Sequence, residues 1–160
     1  MDMKLANLII ELIRENVKAH FDDLGLWPLP RIYAPAGSER VAALEEKAGQ
    51  PLEEHYRRFL ALTDGLDGFH LSMPIFGCHD WSDGGRAADA LRFREILLED
   101  DALADVGLPE GTSLFPVSIN DDRSQDIFMI DAGPGVPERF WWVGGGKTSC
   151  SGHSRTSSPT

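Results

Sequence analysis

Leu5, Leu8, Ile9, Leu12, Ile13, Val17 and Phe21 recur at three- and four-residue spacing, and Lys4, Glu11, Arg14, Glu15 and Lys18 take the other face. This period predicts an amphipathic helix over roughly residues 3–23, halted before Gly25. Pro28, Pro30 and Pro35 break the pattern across 25–37, where Trp27 and Tyr33 read as anchors pinning a loop to a core. The helical pattern returns with Ser38 as N-cap, Glu39 in the first turn, and Val41, Leu44 and Ala48 as a stripe ending at Gly49. A third helix reads from Pro51, Glu53 and Glu54 through Tyr56, Phe59, Leu60 and Thr63 to closure at Asp64 and Gly65.

The second half changes period. Residues 69–76 alternate loosely, and Pro74 confines any strand there to a sheet edge. Residues 77–85 read as a loop, and 87–98 as a helix with Leu91, Ile96, Leu97 and Leu98 as core candidates. Strand-like runs follow at 114–119, 126–131 and 138–143, separated by the turn residues Asn120-Asp121-Asp122 and Gly133-Pro134-Gly135. Trp141 and Trp142 are neighbours on a strand and so point to opposite faces, which sends at least one into the core. Helices first and hairpin-linked strands later predict an α+β fold with a mainly helical N-terminal half. An antiparallel, or mixed, sheet of about four to six strands with helices packed on it is expected. A single domain over 1–143 precedes a Gly-, Ser- and Thr-rich tail, 144–160, expected to be disordered or non-native.

Composition fits this picture: 160 residues, 42% hydrophobic and 26% charged, are ordinary for one globular domain. Twenty-six acids against fifteen Lys and Arg leave a formal charge of −11. Such a surface repels phosphate backbones, disfavouring direct nucleic-acid binding, and steers association with a basic partner. Cys78 and Cys150 are too few for a secreted disulfide scaffold, so a reducing cytoplasm is expected, with a single bridge between them left open. Asn7 and Glu11 interrupt any signal-peptide core, and no apolar run approaches the roughly 20 residues of a membrane span.

Catalytic and metal motifs fail on spacing. Gly144-Gly145-Gly146-Lys147-Thr148 imitates a phosphate loop, but Trp141 stands where its first glycine belongs and no helix pattern follows. Cys78, His79, Cys150 and His153 lack the paired spacings of zinc sites. The loop holding Asp80 and Asp83 lacks the alternating oxygens of a calcium loop, and no Gly-x-Ser-x-Gly or HExxH occurs. No metal, no cofactor and no catalysis are expected. The acids remain. Asp64, Asp67, Asp80 and Asp83 sit in a stretch without Lys or Arg between Arg58 and Arg86, and residues 99–131 carry only Arg123 against many carboxylates. Acidic loops with an interleaved Trp81 suit docking on a basic cleft, carboxylates standing where phosphates would. The candidate partner-binding residues are therefore Asp64, Asp67, Asp80, Trp81, Asp83, Asp121, Asp122 and Asp126; the plainer reading is a solvated acidic surface. A monomer is expected.

The run at 49–65, GQPLEEHYRRFLALTDG, follows YAPAGSERVAALEEKAG with its Leu44-Glu45 pair. Together they resemble the signature of the SUKH superfamily, which contains yeast cell-wall assembly regulators and many bacterial immunity proteins. Asp126, Ile127 and Asp131, then Trp141-Trp142, extend the resemblance over residues 33–143. Glu53 stands where the family usually has proline, and both residues suit a first helical turn. The end, GGGKTSCSGHSRTSSPT, departs further, because family members commonly finish in an amphipathic helix. Either that helix is missing through truncation or frameshift, which would expose apolar sheet surface, or another element covers the sheet. The resemblance implies a non-enzymatic immunity protein that neutralises a cognate toxin such as a nuclease by stoichiometric binding. Its alternative is a regulatory interaction module with no toxin partner.

Overall fold

The computed structural model describes residues 2–144 and the backbone of Lys147–Cys150. Helix α1 (Met3–Asp22) is capped by Asp2, whose carboxylate accepts from the Leu5 amide at 3.0 Å. Leu5, Ile9, Leu12 and Ile13 lay one face against the core. The Asn16 side chain donates to the Gly68 and Phe69 carbonyls at 2.7 and 2.8 Å.

Helices α2 (Ser38–Ala48) and α3 (Glu54–Leu62) follow, with boundaries that differ from the expected ones. Gly37 caps α2, so Ser38 is already helical, and Gly49 closes it at φ 66°, the left-handed conformation glycine accepts at little cost. Helix α3 starts later than Pro51 because Glu53 is its cap: the carboxylate accepts from the Tyr56 amide at 3.0 Å. That leaves Leu52 outside the helix and buried. Thr63 ends the helix in an extended conformation, and Gly65 belongs to the entry of the next strand.

Strands β1 (Arg31–Ile32), β2 (Leu66–His70) and β3 (Met73–Ile75) form one antiparallel sheet in that order. Helices α4 (Ala87–Glu99) and α5 (Ala102–Asp105) lead into a second antiparallel sheet, β4 (Ser113–Ile119), β5 (Gln125–Asp131), β6 (Phe140–Gly144) and β7 (Lys147–Cys150), again in order. The architecture is α+β with a mainly helical N-terminal half. The expected single sheet of about four to six strands is instead two antiparallel sheets, the first of three strands and the second of three with β7 added. Pro74 explains the break, since it has no N–H for a ladder and keeps β3 at an edge. The chain bridges the sheets through the Phe76 amide, which donates to the Val117 carbonyl at 2.7 Å.

Strand alternation sends side chains of the second sheet to two cores. Phe115, Val117 and Met129 join Leu44, Phe59 and Leu60 from α2 and α3. Leu114, Phe128, Ile130, Trp141 and Val143 face Phe93, Leu97, Leu103 and Leu108. The sheet is therefore covered by α4, α5 and the loop that follows, and not laid bare. Helix α4 turns Ala87, Ala90, Phe93 and Leu97 inward, whereas Ile96 and Leu98, expected in the core, are about half exposed. Trp141 is fully buried, and Trp142 is half-buried with its Nε1–H donating to Gln125 Oε1 at 3.1 Å. The expected tail disorder lies outside the described residues, except at Gly144, which ends β6, and Lys147–Cys150, which pair with β6 as β7.

Candidate partner-binding site

Two glycines press the end of α3 against the turn that follows β3. A Cβ on Gly77 would lie 2.1 Å from the Asp64 carbonyl oxygen, and one on Gly65 would lie 2.8 Å from the Gly77 nitrogen. Gly77→Ala is expected to cost about 3 kcal/mol through forced backbone displacement, read as a lower urea midpoint.

This close approach lets the 3-10 turn Cys78–Trp81 offer its backbone to carboxylates. The Cys78 amide donates to Asp64 Oδ1 at 2.5 Å, and the Gly77 amide donates to Asp80 Oδ2 at 2.9 Å. Asp64 Oδ2 lies 3.0 Å from Arg40 Nη2 and 3.3 Å from His79 Nδ1, while His79 Nε2 lies 3.5 Å from Asp80 Oδ2. Arg86 donates from Nε to Asp80 Oδ1 at 2.6 Å and from Nη2 to Asp67 Oδ1 at 2.9 Å. The Tyr33 hydroxyl donates to Asp67.

Three predicted acids are thus brought into one network, but they are not free loop carboxylates. Asp64 and Asp80 are buried, and two guanidiniums with backbone amides satisfy them, as buried charge requires. Burial, then the Asp67 hydrogen bond, pushes the Tyr33 hydroxyl up to about 12. Burial works against the Arg86 charge, yet Asp80 and Asp67 outweigh it and hold the guanidinium above its ordinary value. Burial and then Asp64 push the Cys78 thiol up to about 11. Cys78 is a free thiol.

The remaining candidates divide. Trp81 turns inward and stacks on Phe115 with centroids 4.4 Å apart and planes 9° from parallel, so most of its ring serves the core and not a partner. Asp126 is fully buried, and neither carboxyl oxygen has a hydrogen-bond partner. Burial raises it to about 9, partly offset by the neighbouring Ile127 N–H and the Arg94 charge, so it stays neutral at pH 7. Alternation is the reason: Asp126 shares a strand face with Phe128 and Ile130.

Asp83, Asp121 and Asp122 are exposed. The Ser124 hydroxyl, donating to Asp122, holds that carboxyl below its ordinary range. The Asp121 amide donates to Ser72 Oγ at 3.2 Å. Arg123 pairs with Asp89 at 3.2 Å, which brings the 120–124 turn to the first turn of α4, just after the loop carrying Asp83. The three exposed acids therefore border one end of α4. An open cleft of about 420 Å³ lies beside Asp83, lined also by Lys47, Trp81, Leu91, Arg94 and Phe115.

Sequence reasoning missed Tyr33, Arg40, His79 and Arg86 as partners of the acids. One signal was visible: Arg86 ends the stretch without bases that begins after Arg58. Among the described residues no three His, Cys, Asp or Glu side chains are grouped to hold a metal ion, and the side chains of Cys150 and His153 lie outside them. No family model and no curated protein matches the chain.

Proposed function

We propose that this chain is a SUKH-type immunity protein, a non-enzymatic cytoplasmic binder that neutralises a basic toxin domain, such as a nuclease, without a cofactor. The observation that carries the reading is the division of its acids. Asp64, Asp67 and Asp80 are satisfied internally, while Asp83, Asp121 and Asp122 stay exposed at one end of α4 in a protein of charge −11. Exposed acids of that kind raise the encounter rate with a basic surface. A thiol held at about 11 is protonated at pH 7, which argues against Cys78 as a nucleophile. Among the described residues no helix is long and apolar enough to cross a membrane.

The test pairs the purified protein with the toxin domain encoded beside it. The wild type is expected to bind it and protect cells, with association slowing as salt rises. Changing Asp83, Asp121 and Asp122 together to lysine should slow association by about tenfold or more, in a protein whose circular dichroism spectrum is unchanged. A wild type that neither binds nor protects would end the immunity reading. Unchanged association of the triple variant would remove the acidic rim from it. The alternative is a regulatory module without a toxin, motivated by the resemblance to the yeast regulators; absence of a toxin gene nearby would favour it.

A further inference from the structure

Large apolar side chains on the surface concentrate where α1 meets β1. Leu24 is 95% exposed, Leu26 69%, Phe21 68%, Ile32 58% and Leu29 48%. Scattered single leucines are ordinary on a protein surface, but five within twelve residues are a patch. Leu24 adds a second anomaly, because its φ of 55° is a left-handed conformation that a bulky residue adopts at a cost. Asparagine or aspartate would sit there more easily and would also suit water.

The patch is held firmly. His20 Nδ1 and the Trp27 carbonyl lie 2.5 Å apart at the base of the loop. Pro28 and Pro30 lie directly against Gly68, where a Cβ would come within 3.1 Å of Pro30 and 3.2 Å of the Pro28 oxygen. Beside it, β1 is the outer strand of its sheet; both its residues are exposed, and β2 is its one partner among the described residues.

We propose that this surface is the contact between two copies of the chain, related by a two-fold axis. The charges in the patch decide the occupant. Asp22 and Asp23 lie between Phe21 and Leu24, Arg31 lies between Leu29 and Ile32, and none of the three has an ion-pair partner within the chain among the described residues. In an isologous contact each residue meets its counterpart's complement, so the acids of one copy face Arg31 of the other while the leucines pack between them. The open edge of β1 supplies unpaired backbone groups for an antiparallel partner strand. The same acids disfavour an anionic lipid surface. This departs from the monomer expected on sequence grounds and does not depend on the toxin reading.

Sedimentation velocity of the full chain at about 0.15 M salt, from about 1 to about 500 μM, reads the association. The wild type is expected to pass from monomer to dimer. Leu24→Asp should raise the dimer dissociation constant tenfold or more while folding at least as well, since aspartate tolerates the left-handed conformation better. Asp22→Arg with Asp23→Arg should weaken the dimer, Arg31→Asp should weaken it, and all three together should restore it. Restoration is expected only where the acids of one copy meet Arg31 of the other, and an association that stops at the dimer marks the contact as two-fold. A wild type monomeric throughout, a dimer indifferent to Leu24→Asp, failure of the combined variant to restore pairing, or capture of a monomeric wild type by anionic vesicles would each overturn the proposal.

Discussion

Asp126→Val is expected to stabilise the protein, and the gain should grow as pH rises. Asp126 is fully buried with neither oxygen hydrogen-bonded, and its pKa is about 9 in the folded chain against about 3.9 for an unperturbed aspartate. Below pH 4 both states hold the proton and the residue adds no pH dependence. Between about pH 4 and 9 the unfolded chain releases a proton that the folded chain keeps, so the folded state binds more protons and stability falls with pH. The slope is at most about 1.4 kcal/mol per pH unit. Valine removes the titration, fills the site with apolar surface and suits a strand. At pH 8 the variant should be more stable by about 2–4 kcal/mol. Urea unfolding from pH 5 to 9 checks this, the two stability curves diverging toward high pH. Parallel curves, or a variant less stable at pH 8, would show that the Asp126 carboxyl is satisfied in solution.

Removing Arg86 should be the most damaging single charge change. Its Nε reaches Asp80 Oδ1 at 2.6 Å and its Nη2 reaches Asp67 at 2.9 Å, and the Asp80 side chain is only 3% exposed. Arg86→Met keeps the aliphatic stem and leaves a buried carboxylate without its guanidinium. Losing one partner of a buried pair costs about 3–5 kcal/mol, and the 40% exposure of the Arg86 side chain lowers this toward about 2–4 kcal/mol. Asp80→Asn in the Arg86→Met background should recover part of the loss, because the amide carries no charge. The double-mutant cycle in urea separates this coupling from general damage. Additive losses would mean that Arg86 and Asp80 act independently.

The face of α1 was legible in part. Leu5, Ile9, Leu12 and Ile13 pack inward as their local period implies, whereas Leu8 and Phe21 are exposed. The helix end at Asp22 agrees with the expected stop before Gly25. Pro74 likewise foretold an edge, since a missing N–H needs no knowledge of the rest of the chain. The core face of α4 was not legible. Its apolar residues are interleaved with Asp89, Arg92, Arg94 and Glu95 and mark no single face, and contact with Ile119, Phe128 and Phe76 selects Ala87, Ala90 and Phe93 over Ile96 and Leu98. The candidate acids fared similarly. Aspartate at 64, 80 and 126 reads as surface charge, yet buried positions turn the first two into ion pairs and the third into a neutral acid.

Spacing and turn chemistry established the four helices α1 to α4, the strand hairpins and the α+β class, all of which follow from contacts between near neighbours. Tertiary packing settled how the sheet divides, which acids are buried and which face water, and where apolar side chains are left uncovered. The Arg40–Asp64 pair and the Asp80–Arg86 pair lie on two segments that come together where Gly65 and Gly77 let the backbones touch. The ionisation state and availability of a carboxylate depend on what surrounds it in space, and a single chain of letters carries that information only through the fold.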